Sequence, residues 1–381
     1  MNTQSMLKVN HDELLQILNQ FFKVKKSLFV FGGIGVGKST TIYRFAENKA
    51  KELGKKFIDW NRITEKEKYE LLSKSDLSDY FIFADVRLGT ITEPSDLIGL
   101  PFRDDGGVRF LYKNVWRVLS REKNAYGVLF FDEMNQANEL VQFASYQIVL
   151  DRRVWDLPLS DNVLIVGAGN FEHEVSQVFE ISNALKDRFA FVELVVDVDR
   201  WVEWAFKNNL DSRIIAYISS NPSKLYIFDE KLHKPITPRD YHFASELIKG
   251  VENEDLQYKL LSSQLNTVIA QEIIAFNKIM NKYNLKDFVS GKMKYDDLEL
   301  DELYLLIVML SEKYKTNEKE GTKLFVDFLN NVALQDKIKP EFSTLALRLV
   351  VSIDKQFIRK IEKVDKKIVS KILNKFGKYL V

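Results

Sequence analysis

Apolar residues follow two different rhythms along this chain, and the change between them divides it. From His11 to Phe22, Leu14, Leu15, Ile17, Leu18, Phe21 and Phe22 recur at helical spacing, which predicts an amphipathic opening helix. Ser27 to Phe31 is a short apolar run that stops at glycines and reads as a strand buried on both faces. A helix over Thr40 to Leu53 follows, with further buried strands expected at Tyr80–Ala84, Gly127–Phe131, Asn162–Gly167 and Phe189–Val196. Helical patterns at Leu111–Glu122 and Glu139–Leu150 lie between them. Strand and helix therefore alternate over roughly Lys25 to Val198, which implies an α/β fold with a parallel sheet covered on both faces.

Beyond Asp199 the strand signals fade. Helices are expected at Trp201–Asn208, Arg213–Ser219 and Asp240–Lys249, with a loop through Pro222 and Pro235. From Glu254 onward the chain is rich in Leu, Ile, Lys and Glu and almost free of Gly, which predicts an all-helical region. The last stretch sets Phe357, Ile361, Val364, Ile368, Ile372, Phe376 and Leu380 on one face. Lys355, Arg359, Lys360, Lys363, Lys366, Lys367, Lys371, Lys375 and Lys378 line the other. Such a helix suits a nucleic-acid or membrane surface, but the outer face of a packed helix is the preferred reading.

Composition narrows the classes. At 381 residues and 46% apolar, the chain has material for two or three domains and is not a disordered protein. Lys and Arg number 55 against 54 acidic residues, so there is no overall basic coat for nucleic acid. Cys is absent, which removes disulfides, thiolate metal sites and a Cys nucleophile, and four scattered His leave zinc no obvious home. The opening residues do not read as a signal peptide, and the longest apolar run, Leu303 to Leu310, is far short of the roughly 20 residues a membrane span needs. A soluble, cytoplasmic protein with no membrane association is expected.

The chemistry concentrates at the ends of the predicted strands. Gly32-Gly33-Ile34-Gly35-Val36-Gly37-Lys38-Ser39 fits G-x-x-x-x-G-K-[ST], directly after a strand and opening a helix that continues through Thr40. The glycines let the backbone fold back so that its N–H groups face a phosphate, while Lys38 supplies a point charge and Ser39 a Mg²⁺ ligand. Bound ATP and Mg²⁺ are the expected cofactors. Val128–Phe131 then delivers Asp132 and Glu133 together at a strand end, where open parallel sheets bind ligands. Asp132 suits the metal shell, and Glu133 suits the polarisation of attacking water. Asn170 closes another strand and is the right type to orient that water, although Asn after Gly is also an ordinary turn residue. Arg188 lies at a helix end just before the next strand, where a salt bridge is the commonest role for an Arg. No Asn-Lys-x-Asp guanine reader is present.

Taken in order, these motifs resemble the AAA+ ATPases, in detail the MoxR-like branch of the group that also holds McrB-type motors. Thr92-Glu-Pro-Ser-Asp96-Leu-Ile-Gly99-Leu-Pro101, Asp132-Glu-Met-Asn135-Gln-Ala137 and Asp151-Arg-Arg-Val-Trp155 carry the branch resemblance. It covers about Leu28 to Lys249 and implies sensor 1 at Asn170, an arginine finger at Arg188 and sensor 2 at Arg239. It implies a helical lid, which Trp201-Val-Glu-Trp204-Ala and Thr237-Pro238-Arg239-Asp240 match. Domains are thus expected as an N-terminal helix (1–24), an αβα ATPase core (25–199), a helical lid (200–253) and a helical C-terminal domain (254–381). The resemblance further implies a homo-oligomeric ring, usually of six, with ATP between neighbours. A protein client is expected, and a von Willebrand A-type partner on a separate chain is implied. The stretch Phe102 to Phe110, with Gly106-Gly107 at its tip, has a hairpin's composition, and the resemblance puts a pore-facing insert there. A McrB-like nucleic-acid motor and a slow-turnover, phage-like assembly component are the alternatives.

Overall fold

Seven parallel strands form the sheet that the alternating pattern predicts. In a computed structural model describing residues 6–174, 178–228 and 234–377, they are β1 (Leu7–Val9), β2 (Ser27–Gly32), β3 (Lys56–Asp59), β4 (Tyr80–Arg87), β7 (Tyr126–Asp132), β10 (Val163–Gly169) and β11 (Phe189–Leu194). Two short antiparallel pairs stand apart, β5 (Leu100–Asp104) with β6 (Gly107–Leu111), and β8 (Arg153–Val154) with β9 (Leu157–Pro158). The sheet order is β1-β11-β2-β10-β7-β4-β3. Its inner strands are buried along almost their whole length because helices cover both faces, which is why they read as unbroken apolar runs. The register pairs Phe31 with Gly169, Gly167 with Phe131, and Arg87 with Asp132. The carboxyl ends of β2, β10, β7 and β4 therefore reach one edge of the sheet together.

Several local expectations change. β1 and β3 were not expected: three and four residues are too few to show a period. The helix expected over Leu111–Glu122 shrinks to Asn114–Val118, because Leu111 is spent in the β5–β6 hairpin and Ser120 pairs with Leu159 in an isolated bridge. The hairpin turns at Asp105-Gly106, and Leu100, Phe102, Val108 and Leu111 on it are exposed. The helix expected at Thr40 starts at Lys38, so α2 spans Lys38–Glu52. The opening helix, α1 (His11–Val24), begins at a capping box between Asn10 and Glu13 and buries Leu14 and Leu18.

The chain forms two compact units, the first ending at Val196 and the second beginning at Asp197. The first holds α1 together with the sheet: Phe22 on α1 stacks on Phe81 of β4 with ring centres 5.9 Å apart. In the second, the segments expected as lid and C-terminal domain share a core. Arg213 on the helix Ser212–Ser220 reaches Gln257 and Asn277, both at 2.8 Å. Arg348 spans Asp199 at 2.8 Å and Glu203 at 2.6 Å. The last stretch is two helices, Phe357–Val364 and Lys366–Phe376, broken at Asp365. Phe357, Ile361, Ile368, Ile372 and Phe376 are fully buried, but Val364, expected on that face, is exposed where the first helix ends. Leu380 and Lys378 lie outside the described residues.

Candidate nucleotide site

The loop Gly32–Ser39 joins β2 to α2 as its glycine pattern requires. Gly37 sits at φ +96°, a left-handed conformation that costs glycine nothing and a side chain much. No side chain caps α2, and no acidic residue lies in its first turn. The positive end of the helix dipole thus faces the loop, the arrangement that binds anions. Lys38 is buried, and its Nζ donates to Gly32 O at 2.8 Å, Gly33 O at 2.9 Å and Asn170 Oδ1 at 2.7 Å. The strand expected to carry a water-orienting Asn and the loop expected to carry the phosphate are thereby joined through one ammonium.

The acidic strand end meets the same loop. Ser39 Oγ donates to Asp132 Oδ2 at 2.7 Å, and Glu133 N donates to Asp132 Oδ1 at 2.9 Å. The two residues expected as metal ligands are neighbours, as a shared cation would need. Glu133 itself lies at φ +53°, so the chain turns off β7 at this residue and its side chain leaves the strand's alternation. A Cβ added to Gly89 would come within 3.3 Å of Glu133 Oε2, which locates that carboxylate beside the end of β4. Asp85 of β4 lies close by: burial, and then the charge of Asp132, push its carboxyl up to about 6.

Two further residues of this neighbourhood take roles that motif reading does not assign. Buried Asn135 bonds the backbone of Asn170 on both sides, and Gly169 is needed for it: a Cβ there would fall 2.6 Å from Asn135 Oδ1. Glu174, in the short turn after Asn170, accepts the Ile34 N–H of the phosphate loop at 2.8 Å. Asn135 stands in the Asp132–Ala137 stretch with no role assigned to it there, and Glu174 stands in no motif, so the spatial neighbourhood reveals what each one does.

Thr40 is exposed on the first turn of α2. Arg188 is exposed after the helix Asn183–Lys186 and pairs with the adjacent Asp187 at 2.6 Å, the salt bridge that is the common role of such an Arg. Arg239 belongs to the second unit, exposed in the first turn of the helix Pro238–Ile248.

Sheet order, phosphate-loop pattern, acidic strand end and polar strand end together define an αβα core built on a parallel sheet, followed along the chain by an all-helical region. No protein-family model and no curated protein matches the chain. Among solved structures it is similar to a RuvB point variant of Thermotoga maritima, with 15% identity over 77% of this chain and 86% of that one, at a TM-score of 0.38. It is also similar to NtrX of Brucella abortus in complex with ADP, with 12% identity over 97% of this chain and 68% of that one, again at a TM-score of 0.38. Among the described residues no helix is long and apolar enough to cross a membrane.

Proposed function

We propose that this chain is a MoxR-like AAA+ subunit that binds ATP with Mg²⁺, assembles into a ring, most simply of six, and uses hydrolysis to remodel or assemble a protein partner. The observation that carries the reading is the junction of three strand ends at one loop: Lys38 with Asn170, and Ser39 with Asp132. Ser39 and Asp132 offer two hard oxygens at hydrogen-bond distance, the donor type Mg²⁺ takes, and together they would hold the ion. The ion supplies charge neutralisation for the phosphates. The loop amides and Lys38 hold the phosphates, Asn170 orients a water, and Glu133 accepts its proton as the oxygen attacks the γ-phosphorus and ADP leaves.

Arg188 suits the finger role in this reading, since an exposed Arg can serve a neighbouring subunit and its bond to Asp187 is a weak surface pair. Arg239 is then the lid's contact to nucleotide. A von Willebrand A-type partner follows from the MoxR-like assignment. One observation favours the nucleic-acid alternative: Lys363, Lys366, Lys367 and Lys371 are exposed on the last two helices, whose Phe357, Ile361, Ile368, Ile372 and Phe376 are buried. Steady-state ATPase of the full chain with Mg²⁺ tests the core reading, with mass photometry in the presence and absence of ATP. Hydrolysis that Lys38→Ala abolishes, with an ATP-dependent ring, supports it; equal turnover by Lys38→Ala refutes it. Stimulation by duplex DNA but by no protein would favour the nucleic-acid motor.

A further inference from the structure

His11 lies 25 residues before Val36, outside every motif, yet its ring Nε2 is 2.8 Å from the Val36 carbonyl in the phosphate loop. We propose that His11 is a positioning residue for nucleotide binding, which holds the loop in its phosphate-receiving turn; this rests on the ATP-binding reading above.

A carbonyl only accepts, so the ring must donate from Nε2, and the neutral imidazole is the Nε2–H tautomer. The donor is rigidly mounted. Val9, two residues before it, is buried in β1 and pairs with Leu194 of β11, and Val195 N donates to Val9 O at 2.9 Å. The Asn10–Glu13 capping box then starts α1 at His11 itself, and Leu14 and Leu18 anchor the helix in the core. On the loop side, a Cβ built on Gly37 would stand 3.1 Å from the same Nε2. The ring therefore packs against the loop where the glycine takes its left-handed turn, while it bonds the residue before. A loop held this way meets phosphate already ordered, so less conformational freedom is lost on binding. The bland alternative is a histidine that merely satisfies a nearby carbonyl and contributes to stability alone.

The experiment compares wild type, His11→Ala, His11→Phe and His11→Gln in the full chain, with Lys38→Ala as a non-binding control. Gln places its Nε2 donor the same number of bonds from Cα as His does, while Phe keeps the ring and loses the donor. The readings are Kd for a fluorescent ATP analogue, kcat at saturating ATP, and Tm without nucleotide. We expect Ala and Phe to bind about 2- to 12-fold more weakly, the span that one hydrogen bond's net contribution gives, with kcat within twofold. Gln should bind within twofold of wild type. Wild-type affinity in Ala and Phe would overturn the proposal. So would Gln binding as weakly as Ala, with losses that track Tm. If wild type itself binds no better than Lys38→Ala, the ATP reading fails and this proposal falls with it.

Discussion

Asn135 grips Asn170 through the backbone: its Nδ2 donates to Asn170 O at 2.8 Å, and its Oδ1 accepts from Asn170 N at 3.2 Å. The side chain of Asn170 is left to Lys38, to which its Oδ1 lies at 2.7 Å. Asn135 thus sets where the expected water-orienting amide stands without itself reaching the phosphate loop. Removing it should cost turnover rather than affinity. Asn135→Ala is expected to lower kcat about tenfold, the order given by two lost hydrogen bonds, with the Kd for ATP within threefold. Gly169→Ala, whose methyl would displace the same amide, should reproduce the defect. Equal losses in kcat and affinity would contradict this division of labour.

Glu133→Gln keeps the shape of the side chain and cannot take a proton from water. Nucleotide binding should persist while hydrolysis falls by about 10²–10⁴, the usual contribution of a general base. Single-turnover hydrolysis beside equilibrium binding decides it. Half the parental rate would mean that another group is the base.

Arg188 and Lys38 give a complementation test of the ring. Arg188→Ala should bind ATP nearly normally and hydrolyse it slowly, because fingers are worth about 10³–10⁵ in related phosphoryl transfer. Mixed with Lys38→Ala, it should regain activity at interfaces that pair an intact site with an intact finger. Steady-state ATPase against mixing ratio reads this. No recovery in mixtures shown to co-assemble would leave Arg188 as the partner of Asp187 alone.

Glu312, in the second unit, gives a pH prediction. Burial and then the charge of Asp211 push its carboxyl up to about 7, against roughly 4.3 in an unfolded chain. Between those values the folded state holds a proton that the unfolded state has released, so folding loses stability as pH rises from about 4.3 to 7. The penalty is complete above pH 7. Glu312→Gln should therefore raise Tm at pH 8, on the order of 5 °C, and the gain should shrink towards pH 5. Calorimetry across that range checks the sign; a gain that grows on acidification would refute it.

The phosphate loop, the paired acids after β7 and the inner strands were legible because each is contiguous. Gly32 to Ser39 carries its turn geometry in its own glycines, and Val128 to Phe131 shows burial on both faces as an unbroken apolar run. β1 was not legible, since Leu7-Lys8-Val9 acquires strand geometry only by pairing with Val192–Leu194. Helix breaks were also hidden. Val364 continues an apolar stripe on paper, yet Asp365 ends one helix and caps the next, and the stripe leaves the core there.

The sequence by itself thus determined where the candidate chemistry stands: a glycine-rich loop of phosphate-binding pattern and paired acids at a strand end, set in an alternating α/β chain. The tertiary structure alone decided which strand lies beside which and what each polar side chain meets. Asn170 reaches Lys38 across 132 residues, Asn135 reaches Asn170 across 35, and His11 reaches Val36 across 25. The physical reason is that a phosphate loop needs special backbone angles, which only certain residues tolerate and which therefore mark the sequence. A side-chain hydrogen bond between distant elements needs only an Asn or a His, residues equally at home on any surface, and its partner is chosen by the packing of the sheet.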